Sequence, residues 1–348
     1  MNSFLQKIGC LFLLVFYLSF FQLSVKAKDV VHISSRRPVL QSQAGIVADV
    51  NSEQIYFQKN MHNKLYPASI TKVLTGLLAV ERGKPDEKIK VTPTVLQTEK
   101  DGVAHIGLRP GETLTLDQLL YTMFLASAND SAVVVAEHIA GSTAHFVDLM
   151  NEKAKTLGAK ESHFSTPNGL PDVHNYTSAY DMALIMRAAA KNTTLMKYMG
   201  AQSYTLAANS FRKKPATFTT LHKMMQSASP YYDGDIVAGK TGWETMSKNT
   251  LVTVARKNGR ELLAVVLKGE NARAIYGDTK ALLTYGFLQP SASIDSVTSS
   301  KTEKSKQAET VNQISGLSQK LLWISVATFS ILFLFFVCKF SYFQSFEN

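Results

Sequence analysis

The order of the predicted secondary structure constrains the fold of this chain more than any other feature of its sequence. Between residues 28 and 288, strand-like segments lie at both ends and helical segments fill the middle. Strands are predicted at residues 45–50, 55–58, 251–256 and 261–267, the last two joined through Asn258-Gly259, a strong hairpin signal. This order predicts a mixed α/β fold in which the first and last strands share one antiparallel sheet, with helices packed against it.

The helical segments are identified by apolar residues that recur every three or four positions. They lie at residues 69–81, 115–125, 131–139, 144–157, 178–190 and 272–285. Ser142 is expected to cap the helix at 144–157, and Gly158 to end it. Ser178 and Asp181 have the spacing of a capping box, with aspartate in place of the usual glutamate, and predict where the next helix begins.

Residues 1–27 have the pattern of a secretory signal peptide. Lys7 is followed by an almost unbroken apolar run at residues 8–23, and Val25 and Ala27 are small residues at the positions that a signal peptidase inspects. Cleavage is expected after about Ala27, with an uncleaved N-terminal anchor as the alternative. The pattern predicts that the rest of the chain is exported.

A second apolar segment, residues 321–338, is predicted to be a transmembrane helix. It contains no charged residue, and at about 1.5 Å per residue it would extend roughly 27 Å, close to the thickness of a bilayer core. The polar residues 289–320 before it are expected to form a disordered tether, and residues 339–348 a short cytoplasmic tail. Both cysteines, Cys10 and Cys338, lie in apolar terminal segments, so no disulfide framework is expected in the body. The body is thus predicted to lie outside the cell, held at the membrane.

Charge and composition exclude several classes of partner. The formal net charge of +10 suits anionic surroundings such as acidic lipid or an anionic wall polymer. Nucleic acid is not expected, because the body is predicted to be exported and has no dense Lys/Arg cluster with interleaved aromatic residues. The eight histidines are scattered, without a His-Glu-x-x-His motif or a Cys/His cluster, so neither a metal nor a cofactor is predicted.

The first candidate catalytic pair is Ser69 and Lys72, which lie three residues apart at the start of a predicted helix. At this spacing the two side chains share one helix face, with Cβ atoms about 5–6 Å apart. A serine is a poor nucleophile until a base takes its proton, and Lys72 can be that base if burial and a nearby cation, Lys240, keep it uncharged. The pattern alone is weak, since it recurs at Ser210 and Lys213 in a polar stretch that we interpret as solvated surface.

A second motif, Ser127-Ala128-Asn129, lies between two predicted helices. A serine in such a loop can relay a proton, and the amide of Asn129 can orient a substrate peptide group. The alternative is helix capping, because serine and asparagine are both favoured caps.

A third motif, Lys240-Thr241-Gly242, follows a short apolar strand. Lys240 can pair with a substrate carboxylate and the hydroxyl of Thr241 can hydrogen-bond to it. Gly242 leaves room for a ligand backbone against the strand. The N–H group of Trp243 can then join that of Ser69 in an oxyanion hole.

The three motifs occur in the order found in penicillin-binding proteins and class A β-lactamases. Longer stretches resemble the serine D-alanyl-D-alanine carboxypeptidases, or low-molecular-weight penicillin-binding proteins, over about residues 35–288: LYPASITKVLTGLLAVE, LASANDSAVVVAEHIAGS, NGLPDVHNYTSAYDMALIMRA and GKTGWET. The resemblance implies a β-lactamase/transpeptidase-like fold, with helices on both faces of the sheet and the site between an all-α part and an α/β part.

The resemblance also implies a reaction. Ser69 matches the acylated nucleophile, Lys72 its proton acceptor, and Ser127 a residue that assists proton transfer. The positions that match the substrate-binding residues are Asn129, Lys240, Thr241 and Gly242. The expected activity is removal of the terminal D-alanine from peptidoglycan stem peptides, with β-lactams acylating the same serine.

The chain departs from the family pattern in two places. Ser247-Lys248 stands where members often have Ala-Gly, so a different turn is expected there. Many members also carry a β-rich C-terminal domain, where this chain has the predicted tether and membrane segment.

Two other functions remain as alternatives. A class A β-lactamase is disfavoured because residues 161–172 lack the Glu-x-x-x-Asn pattern of the loop that activates the hydrolytic water. A non-catalytic β-lactam sensor would be acylated by penicillin but would never release D-alanine.

Overall fold

The computed structural model describes residues 37–99 and 102–290. The predicted signal peptide, transmembrane helix and cytoplasmic tail lie outside the described residues, as does nearly all of the predicted tether. Among the helices within the described ranges, none combines the length and the apolar character needed to cross a membrane.

The described residues form nine strands, seven α-helices and three short 3-10 helices. The strands are β1 (Ala44–Asp49), β2 (Ile55–Lys59), β3 (Lys88–Lys90), β4 (Thr113–Thr115), β5 (Ser203–Leu206), β6 (Ala216–Thr219), β7 (Ile236–Glu244), β8 (Lys248–Lys257) and β9 (Arg260–Gly269). The α-helices are α1 (Lys72–Arg82), α2 (Leu116–Leu125), α3 (Asn129–Ala140), α4 (Thr143–Thr156), α5 (Ala179–Ala190), α6 (Thr193–Met199) and α7 (Ala272–Leu288). The 3-10 helices are Ala68–Thr71, Pro93–Thr98 and Lys223–Met225.

The main sheet has five antiparallel strands in the order β2-β1-β9-β8-β7. β1 pairs with β9 from Ala44 opposite Leu267 to Asp49 opposite Leu262, so the first and last strands meet as predicted. β7 lies at the edge of the sheet, and it carries the Lys-Thr-Gly motif. Among the strands of residues 37–99 and 102–290, the motif therefore has a partner on one side only.

Alternating side chains of the sheet enter two hydrophobic cores, one on each face. One face packs against the helical part of the molecule through Ile46, Ala48, Val252, Val254, Leu263 and Val265. The other face packs against Ile275, Leu282 and Leu283 of α7 through Val47, Leu251, Leu262, Ala264 and Val266. The predicted sheet with helices on both faces is thus confirmed.

Two local predictions need correction or refinement. The helix predicted at 69–81 begins instead as the 3-10 turn Ala68–Thr71, and its α-helical part starts at Lys72. Ser178 caps α5 as predicted, but there is no capping box. The carboxylate of Asp181 instead accepts hydrogen bonds from the Glu161 N–H (2.7 Å) and the Ser162 hydroxyl (2.7 Å). It is therefore used to hold a loop onto α5.

The first residue of β8, directly after the turn from β7, has an unfavourable conformation. Lys248, one of the two residues at which the chain departs from the expected Ala-Gly, has φ +52°. A residue with a side chain pays roughly 1–2 kcal/mol in this region, whereas glycine loses about 0.5–1 kcal/mol through its greater chain entropy.

We therefore expect Lys248→Gly to raise the free energy of unfolding by about 0.5–1 kcal/mol, measured by urea denaturation. Lys248→Ala is the control, because it removes the same side chain and keeps the unfavourable φ. An equal gain in both variants would mean that the backbone conformation is not the cause.

Candidate active site

Ser69 lies in a tight turn that is held from two sides. The preceding residue, Ala68, has φ +50°, and the turn continues directly into α1. The Thr250 hydroxyl on β8 donates to the Pro67 carbonyl at 2.8 Å. On the other side Gly169, with φ +81°, lies so close to the Ala68 carbonyl that a Cβ atom would collide with it. The position of the serine is therefore set by the sheet and by the loop that contains Gly169.

Lys72 is the first residue of α1, and its side chain is completely buried. Its Nζ atom lies 2.9 Å from Ser69 Oγ, 2.7 Å from Asn129 Oδ1 and 2.7 Å from the Asn168 carbonyl. An uncharged amine has two N–H groups and one lone pair. It can donate to the two carbonyl oxygens while accepting a hydrogen bond from the serine hydroxyl. This is the arrangement that a proton acceptor for Ser69 requires.

The electrostatic surroundings favour the uncharged form of Lys72. Burial lowers the pKa of Lys72 well below its usual range, and the charge of Lys240 lowers it further. The carboxylate of Asp130 acts in the opposite direction. Burial and a second cation are the two influences expected from the sequence.

Lys240 and Ser127 form a second hydrogen-bonded pair. Lys240 is 2% exposed, and its Nζ donates to Ser127 Oγ at 3.0 Å and to the Thr241 carbonyl at 2.7 Å. Burial lowers the pKa of Lys240 to about 7. Ser127 has φ +55°, an uncommon conformation that directs the loop between α2 and α3 into the cleft.

The three motifs meet in one cleft of about 330 Å³. The residues of these motifs that line the cleft are Ser69, Ser127, Asn129, Thr241, Gly242 and Trp243. Lys72 and Lys240 lie behind this surface, joined to it through Ser69 and Ser127. All eight residues expected from the sequence are thus brought together. The second Ser-x-x-Lys copy lies outside this group of residues. Its Ser210 and Lys213 are exposed, as predicted.

Gly242 brings the edge strand close to the serine turn. A Cβ atom built on Gly242 would lie 2.9 Å from the Ser69 nitrogen and would collide with the Thr250 hydroxyl. The absence of a side chain therefore lets the backbone of β7 approach the Ser69 N–H group, one of the two donors expected in an oxyanion hole.

Two contributors to the site were missed from the sequence. Asp130 is buried and accepts hydrogen bonds from the backbone N–H groups of Ile106 (3.1 Å) and Leu108 (3.0 Å), so it holds a loop whose residue Ala104 lines the cleft. Asn168 contributes a backbone carbonyl to Lys72. A buried carboxylate next to Asn129 could have been noticed, but a backbone contact leaves no pattern in side-chain identities.

Two charged residues at the mouth of the cleft were also missed. Lys223 is exposed and lines the cleft near α7, and Glu244, the last residue of β7, is half-buried and lines it beyond Trp243. They are the two charged residues among the described residues that line the cleft.

A serine next to a buried lysine, facing an edge strand across a cleft between a sheet and a helical part, is the arrangement of the class that contains penicillin-binding serine peptidases and class A β-lactamases. Within that class, residues 31–271 match the D-alanyl-D-alanine carboxypeptidase family, and the chain belongs to this family. The family resemblance inferred from the motifs is confirmed.

Individual relatives agree with this membership. The chain is 31% identical over 252 residues to the D-alanyl-D-alanine carboxypeptidase DacF of Bacillus subtilis, covering 72% of this chain and 63% of the relative. It is 31% identical over 265 residues to DacB2 of Mycobacterium tuberculosis, covering 74% of this chain and 86% of the relative. The match thus spans less than two thirds of the Bacillus relative.

A solved structure shows the same fold. The crystal structure of a D-alanyl-D-alanine carboxypeptidase from Mycobacterium tuberculosis superposes with a TM-score of 0.66 at 28% sequence identity. The superposition covers 74% of this chain and 95% of that one. The predicted fold class is confirmed.

Proposed function

We propose that this protein is a serine D,D-carboxypeptidase that removes the terminal D-alanine from peptidoglycan stem peptides through an acyl-enzyme on Ser69. One observation carries the proposal: the Lys72 amine lies 2.9 Å from the Ser69 hydroxyl, with Ser69 opening on the cleft that all three motifs line. Family membership supports the same reaction.

Acylation begins when the Ser69 hydroxyl gives its proton to the uncharged Lys72 amine and its oxygen attacks the carbonyl carbon between the two D-alanines. The backbone N–H groups of Ser69 and Trp243 stabilise the negative charge that develops on the carbonyl oxygen. Ser127 gives a proton to the leaving amine as the C–N bond breaks, and it regains one from the Lys240 ammonium 3.0 Å away. Water then attacks the ester carbonyl, and its proton passes through Ser127 to the Lys240 amine, which becomes an ammonium again. The water oxygen stays on the peptide as the new carboxyl group, and Lys72 returns its proton to the Ser69 oxygen as the C–O bond breaks.

The remaining residues hold the substrate. Asn129 uses its amide oxygen to accept from Lys72, so its amide nitrogen is the group available to a substrate carbonyl. The terminal carboxylate binds at Thr241, under the charges of Lys240 behind the strand and Lys223 at the rim. An internal peptide bond would not bring an anion to this end of the cleft.

The rate of acylation is expected to rise with pH until Lys240, the proton source for Ser127, loses its own proton above its pKa of about 7. The pKa of Lys72 is lowered, so the uncharged base becomes available as pH increases through that lowered pKa and is lost as pH decreases through it. Lys240→Met removes a positive charge, so the pKa of Lys72 should rise. The increasing part of the plot of acylation rate against pH should then move to higher pH. We would measure the second-order rate of penicillin labelling across the pH range. If the increasing part of this pH profile lies at the same pH in Lys240→Met as in the natural chain, the electrostatic coupling of the two lysines would be contradicted.

We also propose that the catalytic body, residues 28–288, acts outside the cell and is held at the membrane. The apolar segments 8–23 and 321–338 and the polar stretch 289–320 support export, a single membrane span and a tether. Membership of a family that acts on cell-wall peptides supports an extracytoplasmic site.

The proposed activity is tested by incubating the full chain with a peptide ending in D-Ala-D-Ala and measuring free D-alanine. We expect stoichiometry of one D-alanine per peptide and slow release of bound penicillin. Rapid turnover of a chromogenic β-lactam would identify a β-lactamase instead. Penicillin acylation without any D-alanine release would identify a sensor.

A further inference from the structure

The cleft carries a carboxylate that the reaction does not use. Glu244 is half-buried and lines both the cleft and a small adjoining cavity. Its Oε2 accepts a hydrogen bond from the Thr245 N–H at 2.9 Å, and it makes no ion pair with any residue of the described part of the chain. A carboxylate in this position is available to a cation that enters with the substrate.

The position of Glu244 along β7 relates it to the scissile bond. Side chains of residues two apart point to the same face of a strand, so Glu244 shares the face of Gly242, the residue next to the Ser69 nitrogen. The adjoining cavity includes Pro67 and Ala68 with Glu244, which agrees with this orientation. At about 3.3 Å per residue, Glu244 lies roughly 7 Å beyond Gly242, on the side away from Thr241.

The direction of the substrate follows from the same strand. An extended peptide bound along the free edge of β7 would place its terminal carboxylate at Thr241 and its reacting carbonyl near Gly242 and Ser69. The residue that precedes the two D-alanines then lies toward Glu244. A side chain with four methylene groups extends about 6 Å, which is enough for a terminal ammonium to reach the carboxylate.

We propose that Glu244 binds the side-chain ammonium of the residue that precedes D-Ala-D-Ala, so that the enzyme prefers stem peptides whose diamino acid carries a free amine. The proposal rests on the proposed carboxypeptidase activity. The contact is a charge-assisted hydrogen bond at a partly exposed site, made in the substrate complex and in the transition state alike. It should therefore lower KM more than it raises kcat.

The test compares two substrates with the full chain: Nα-acetyl-L-Lys-D-Ala-D-Ala with a free side-chain amine, and the same peptide with that amine acetylated. We expect kcat/KM to be about tenfold higher for the free amine, mostly through KM. Glu244→Gln should reduce kcat/KM for the free-amine peptide to that of the acetylated peptide, and Glu244→Lys should reverse the preference. Glu152→Gln, an exposed acid on α4, is the matched control and should keep the preference of the natural chain.

Equal rates for the two peptides in the natural chain would overturn the proposal, and so would a preference that survives Glu244→Gln. Failure to release D-alanine from either peptide would be a different result, because it would remove the carboxypeptidase activity on which the proposal rests. Replacement of lysine by norleucine separates charge from chain length: we expect the norleucine peptide to behave like the acetylated one. Norleucine behaving like free lysine would also overturn the proposal.

Discussion

Lys72→Met should lower the rate of Ser69 acylation by about 10²–10⁴-fold, the usual contribution of a positioned general base. Methionine has a similar length and no proton acceptor of comparable strength. Methionine fits a site where the lysine is completely buried and its amine lies 2.9 Å from Ser69 Oγ. The measurement is the second-order rate of penicillin labelling, with circular dichroism and thermal unfolding to show that the variant is folded.

The matched control for this variant lies in the second Ser-x-x-Lys copy. Lys213→Met removes an exposed lysine with the same sequence spacing from a serine, and it should leave the labelling rate unchanged. Near-normal acylation in folded Lys72→Met would contradict the assignment of the base. The general base would then have to be sought elsewhere in the cleft.

Gly169→Ala is the second substitution with a large expected effect. The residue has φ +81°, and a Cβ atom would collide with the Ala68 carbonyl and lie 2.9 Å from the Thr71 hydroxyl. The turn that carries Ser69 would have to move, and a displacement of about 1 Å at a nucleophile can cost roughly 10²-fold in rate. We also expect a loss of more than about 1 kcal/mol of stability, because alanine is strained at positive φ.

Gly141→Ala separates these two effects. Gly141 also has positive φ, +79°, but a Cβ atom there would meet nothing within 4 Å. The Gly141→Ala variant should lose stability through backbone strain and keep the normal rate of penicillin labelling. If Gly169→Ala labels as fast as Gly141→Ala does, the loop around residue 169 does not position the nucleophile.

The sheet and the three motifs could be predicted from the sequence because their signals are local or periodic. The hairpin at Asn258-Gly259 and the alternating strands 251–256 and 261–267 depend on turn chemistry and a two-residue period, and both strands form. The short strands β3 to β6 and the helix α6 were not predicted, since segments of three to seven residues carry too little periodicity to be distinguished from loops.

The rest of the site depends on contacts between distant parts of the chain. The Asn168 carbonyl reaches Lys72 across 96 positions, and Lys240 reaches Ser127 across 113. The use of Asp181 to hold residues 161 and 162, rather than to cap its own helix, is likewise decided by tertiary packing. A sequence pattern can nominate such residues, but it does not show which distant groups they meet.

The most direct test of the account is to label the full chain with penicillin, digest it and locate the adduct by mass spectrometry. We predict a single adduct on Ser69 that disappears in Ser69→Ala and persists in Ser210→Ala, which alters the exposed second copy of the motif. An adduct on a different serine, or one that survives Ser69→Ala, would contradict the claim that Ser69, activated by Lys72, is the nucleophile.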